Sequence, residues 1–78
     1  MKTISITWED SRQIHGWCYN EDIDDSVCIV KTVGYLIKET EKAYVVALSV
    51  GTNPVQYNGI NVIPKRSVIE IDISVSTT

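Results

Sequence analysis

At 78 residues, with 44% apolar and 22% charged side chains, the chain is long enough for one small domain and too balanced for a disordered or collagen-like segment. Its 11 Ile, 10 Val and 7 Thr, against two Leu, two Ala and one Met, are strand chemistry that excludes a helix bundle, because branched side chains pack on a pleated sheet and lose rotamer freedom in a helix. The net charge of −3 divides into −4 over residues 1–28 and +1 over residues 29–78 with one adjacent pair of bases, so the basic stripe needed by a duplex nucleic-acid partner is missing.

In chain order, residues 2–8 alternate, with Ile4, Ile6 and Trp8 on one face and Thr3, Ser5 and Thr7 on the other, and read as a first strand. Residues 9–26 break that pattern with acids, Gly16, Asn20 and aromatics, a long excursion for so small a domain. Residues 27–37 are the longest strand candidate, Glu39-Thr40-Glu41-Lys42 is a polar turn, and residues 44–50 return as a strand. Residues 51–54 interrupt the chain, and Asn58-Gly59 predicts a hairpin turn because both residues tolerate positive φ. Residues 60–63 form a short strand, Pro64-Lys65-Arg66-Ser67 suits one helical turn, and residues 68–73 close the domain. Residues 74–78 are a polar tail beyond a single barrel domain of residues 1–73.

That order is the order of an all-β, five-stranded Src-homology-3-like small barrel, with a long loop after the first strand and one helical turn before the last. Two of its strands are apolar on both faces. Residues 27–37 carry Val27, Ile29, Val33, Tyr35 and Ile37 opposite Cys28, Val30 and Leu36; residues 44–50 carry Tyr44, Val46, Leu48 and Val50 opposite Val45 and Ala47. A barrel of this size has one interior, so the second apolar face predicts a cover, and a homo-oligomer is the expected one.

No window reaches the ~18 apolar residues of a membrane span and no signal peptide is visible, so a soluble protein without a membrane partner is expected. Cys18 and Cys28, with no CxxC pair, read as reduced thiols packed as small hydrophobes. With His15 they make three soft ligands at a spacing that matches no structural zinc pattern, so neither metal nor cofactor is expected. The single histidine has no identifiable partner, and neither a nucleophile elbow nor a Gly-rich phosphate loop is present; a binder is expected rather than an enzyme.

The residues with binding chemistry are Arg12, Trp17, Tyr19, Tyr57, Lys65 and Arg66. Aromatic faces stack on planar bases and guanidinium forks grip phosphate, so this set predicts a site for a small nucleotide-like ligand. Against it stands a core or lid role for the tryptophans and a solvated turn for Lys65-Arg66. The acids Glu21, Asp22, Asp24 and Asp25 beside Trp17 and Tyr19 support a second reading, a loop that recognises another protein, as Src-homology-3 domains do with basic Pro-rich ligands. The Ala-Leu-Tyr-Asp-Tyr signature and tandem Trp pair of those domains are missing.

Trp8-Glu9-Asp10, Gly16-Trp17, Val33-Gly34-Tyr35-Leu36-Ile37, Glu39-Thr40-Glu41 and Ile63-Pro64-Lys65, taken together, resemble small uncharacterised proteins encoded by phages and prophages. The resemblance spans residues 4–73 and carries no activity with it. It implies a small phage protein in a bacterial host cytoplasm. By analogy with oligomeric sponges of that size, it implies sequestration of a nucleotide signal made by host defence. The alternative is a module that binds a host or virion protein through the acidic aromatic loop.

Overall fold

The computed structural model describes residues 1–11, 16–23 and 25–75. They form one antiparallel sheet of five strands: β1 (Lys2–Asp10), β2 (Cys28–Glu39), β3 (Ala43–Thr52), β4 (Val55–Pro64) and β5 (Val68–Val75). The order across the sheet is β4-β3-β2-β1-β5. The only helical elements among the described residues are two 3-10 turns, Asn20–Asp22 in the long loop and Lys65–Ser67 before β5. The all-β architecture, the long first loop and the single turn before the last strand therefore stand as expected. The order is compatible with a small barrel, but the sheet is not closed, since no ladder joins β4 to β5 among the described residues.

One corner bends the sheet over its core. β1 pairs with β2 from Thr3↔Tyr35 to Asp10↔Cys28, and β2 pairs with β3 only from Tyr35↔Ala47 to Glu39↔Tyr44. The two ladders share Tyr35, and on Gly34 just before it a Cβ would lie 2.6 Å from the Ala47 carbonyl oxygen and 2.8 Å from Val46 Cγ1. Glycine is required there by close approach of a neighbouring backbone. The register shift between Leu36 and Lys38 adds twist at the same corner. Under it lie Ile4, Ile6, Val46 and Ile63, flanked by Trp8, Leu36, Tyr44, Val68 and Ile71. Trp8 is half-buried there, and its Nε1–H donates to Thr32 Oγ1 at 3.0 Å.

The β2–β3 turn is tied by Thr40, whose backbone N–H donates to the Ala43 carbonyl at 2.9 Å and whose hydroxyl accepts from the Ala43 N–H at 3.1 Å. The next turn is not where the sequence predicts it. β3 and β4 keep one register from Ala43↔Pro64 to Thr52↔Val55 and turn at Asn53-Pro54, a cis peptide bond, so Asn58-Gly59 lies within β4. Gly59 has φ +68, and a Cβ on it would meet the Leu48 side chain at 2.9 Å. Its freedom serves a tight cross-strand contact rather than a turn. β4 is consequently ten residues long, where the sequence suggests a short strand over residues 60–63.

Candidate functional site

The β3–β4 ribbon outruns its neighbour. Beyond Ala47 no third strand accompanies β3 among the described residues, so residues 48–59 project as a two-stranded arm. The molecule measures 54 × 24 × 21 Å, with a radius of gyration of 16.1 Å. A compact domain of this length has a radius of about 11–12 Å. Alternation gives the arm one polar face of Ser49, Gly51, Gln56 and Asn58, and one apolar face of Leu48, Val50, Val55 and Tyr57 that continues the core side of the sheet. Leu48 is 58% and Val55 65% exposed. On the opposite side, Val33, Tyr35, Ile60 and Val62 are also exposed.

The long loop presents a second surface. Its 3-10 turn is closed by the Asp22 N–H donating to the Tyr19 carbonyl at 3.0 Å and the Ile23 N–H to the Asn20 carbonyl at 3.3 Å. Trp17 and Tyr19 precede the turn, fully exposed and three-quarters exposed respectively, and with Cys18 they line a shallow hollow. Glu21, Asp22 and Asp25 are exposed beside them, together with Ile23 and Val27. Trp17 therefore does not cover the core. Cys18 and Cys28 are free thiols, as expected, but both are exposed rather than packed: Cys18 lies in the loop, Cys28 at the start of β2, and neither joins the buried cluster.

A third feature sits at the end of the β3–β4 ribbon away from its turn. The Lys65 N–H donates to the Lys42 carbonyl at 2.8 Å, which joins the turn before β5 to the turn before β3. Lys65 Nζ lies 2.6 Å from Glu39 Oε2 and 5.0 Å from the Tyr44 ring centroid. The hydrogen bond to Glu39 raises the Lys65 pKa above its ordinary value, with burial opposing and the charges of Glu39, Tyr44 and Glu41 assisting. Lys42, Lys65 and the exposed Arg66 line an open hollow of about 550 Å³ with Glu41, Ala43 and Pro64.

The residues singled out in the sequence thus fall on separate surfaces. Trp17 and Tyr19 share one hollow, Lys65 and Arg66 share another, and Tyr57 lines a third with Ser49, Gly51, Gln56 and Asn58. At about 3.3 Å per strand residue, Tyr57 stands roughly 25 Å along β4 from Lys65, too far for one small ligand within one chain. Arg12 lies outside the described residues. Lys65 is also engaged by Glu39 rather than presented to an anion.

The arm is not among the elements that the sequence pattern predicts, although the sequence carries a signal for it. Between Lys42 and Lys65, residues 43–64 contain no charged side chain, in a chain where 22% of residues are charged. Among the described residues, fifteen large hydrophobic residues are exposed and five hydrophobic residues are buried, so much apolar surface is left uncovered. No known protein family, curated protein or solved structure matches this chain.

Proposed function

We propose that the protein is a non-catalytic binding module that recognises another protein through its acidic aromatic loop. The observation that carries this reading is Trp17, wholly exposed beside Tyr19, Ile23 and the acids Glu21, Asp22 and Asp25. A folded domain gains nothing by leaving an indole in water, whereas tryptophan and tyrosine anchors dominate the energy of protein interfaces. The surrounding carboxylates select a basic surface and speed its approach. In the setting that the phage resemblance implies, a bacterial cytoplasm, the partner is a host or virion protein.

The nucleotide-sequestering reading needs Trp17, Tyr19 or Tyr57 to meet Lys65 and Arg66 around one ligand, whereas these residues line separate hollows and Lys65 is held by Glu39. One experiment separates the two readings. Wild-type protein and Trp17→Ala are titrated with a basic, aromatic-containing peptide set and with cyclic dinucleotides and ADP-ribose, following thermal stability and tryptophan emission. Binding of peptides that weakens with salt and falls at least about tenfold in Trp17→Ala is expected, since such anchors are worth ~2 kcal/mol or more. Stabilisation by a nucleotide, unaltered in Trp17→Ala and with no peptide bound, would overturn the protein-recognition reading.

A further inference from the structure

We infer that the β3–β4 arm is a self-association element, and that a second copy of this chain covers the apolar face of Leu48, Val50, Val55 and Tyr57. This surface is distinct from the aromatic loop, and the inference does not depend on what the loop binds.

A two-stranded ribbon in water is marginal by itself, and this one has an apolar face without a third strand or a covering layer among the described residues. Natural sheets protect such ribbons and edges with lysines or other charges. Here the protection is missing throughout residues 43–64, which includes all of the edge strand β4. By contrast, the opposite edge strand, β5, carries Glu70 and Asp72. The unprotected edge is the one beside the exposed apolar face.

The surface area agrees. A folded monomer of 8.7 kDa exposes about 4,700 Å² by the scaling of globular proteins. This chain exposes 6242 Å², an excess of about 1,500 Å². A stable interface removes about 800 Å² from each partner, which lies within that excess.

The choice of a second copy follows from charge. A foreign partner is selected by complementary charges, and the arm offers none. In a two-fold contact each residue meets the same surface of its twin, so any charge near the axis meets its own sign. In a chain of net charge −3, the neutral arm is a surface on which two copies meet without repulsion. Pairing arm to arm also buries Tyr57 and Val55 against apolar neighbours and leaves Ser49, Gln56 and Asn58 in water.

The test is sedimentation velocity of the full chain across the micromolar range, with Val55→Lys and, on the far face of β2, Ile29→Lys as a comparison. Both positions are exposed in the single chain, so circular dichroism should remain that of the folded sheet. The expected result is a concentration-dependent dimer for wild type and Ile29→Lys, with the dimer weakened roughly a hundredfold or more in Val55→Lys by an unpaired buried ammonium. Hydrogen exchange of the wild type at two concentrations gives a reading without substitution: protection in residues 48–57 should rise with concentration. A wild type that stays monomeric, exchange that ignores concentration, or a dimer broken by Ile29→Lys and spared by Val55→Lys would each overturn the inference.

Discussion

Replacing Gly34 by alanine tests whether the corner at that residue shapes the fold. The new methyl carbon would stand 2.6 Å from the Ala47 carbonyl oxygen and 2.8 Å from Val46 Cγ1. Of the two, only the valine side chain can turn away; the carbonyl belongs to β3, so relief requires β3 to lift from β2 and loosen the contacts of Val46 with Ile4 and Ile6. Overpacking of this kind costs ~1–3 kcal/mol. Alanine returns about 0.4–1 kcal/mol by restricting the unfolded chain. The net loss is then about 1–2 kcal/mol, large beside the ~3–5 kcal/mol that a core of this size supplies. Urea unfolding followed by tryptophan emission at fixed protein concentration reads it directly. With a slope of about 1 kcal/mol per molar, the midpoint should fall by about 1–2 M. Gly51→Ala is the matched control: its Cβ would come no nearer than 3.7 Å to any neighbour, so it should leave the midpoint unchanged or raise it. If both variants moved the midpoint in the same direction by the same amount, the close approach at Gly34 would not be what shapes the corner.

Thr32→Val keeps the shape of the side chain and removes the acceptor for Trp8 Nε1, leaving a half-buried N–H without its partner. Stability should fall by about 1–2 kcal/mol with a shift in Trp8 emission, and an unchanged urea midpoint would mean that water replaces the hydroxyl at no cost. Glu39→Gln should return Lys65 toward the ordinary lysine value of 10.5. Since the folded pKa lies above the unfolded one, the pair stabilises fully below that value and its contribution is lost as pH rises through the folded pKa. Melting temperatures of wild type and Glu39→Gln should therefore differ at neutral pH, slightly and less so in high salt because the pair is exposed, and converge on the alkaline side. A difference that persisted above the folded pKa would assign the effect to packing on Tyr44 instead of charge.

The strands were legible because branched residues dominate and because the Glu39–Lys42 turn interrupts them with charge, and the Pro64–Ser67 turn was visible for its fixed proline φ. The turn falls at Asn53-Pro54 and not at Asn58-Gly59 for a physical reason. A glycine that must sit under Leu48 and a glycine that must turn a hairpin look the same in one sequence, and only the register with β3 distinguishes them. The two-sided apolar character of β2 and β3 did identify surface left uncovered: Ile29, Val33, Tyr35 and Leu48 are all exposed. Chemical type marks the candidate binding residues, and type says nothing of separation along a sheet. Tyr57 and Lys65 are eight positions apart in sequence, which a helix would fold into a few turns and an extended strand keeps distant. Nothing in the sequence marks Glu39 as the group that occupies Lys65.

The clasp of Lys42 and Lys65 at the open end of the β3–β4 ribbon also matters to the chain before it has folded. Lys42 and Lys65 bound a run of 22 uncharged residues that is rich in valine and isoleucine, the composition from which intermolecular β-aggregates grow. Flanking charges of this kind act as gatekeepers, repelling neighbouring chains while such a segment is exposed. Once the sheet forms, the Lys65 N–H binds the Lys42 carbonyl and Lys65 turns to Glu39, so the same two residues that keep nascent chains apart become the knot that closes the hairpin. Neutralising both should therefore show first as precipitation during refolding and only secondarily as a lower melting temperature.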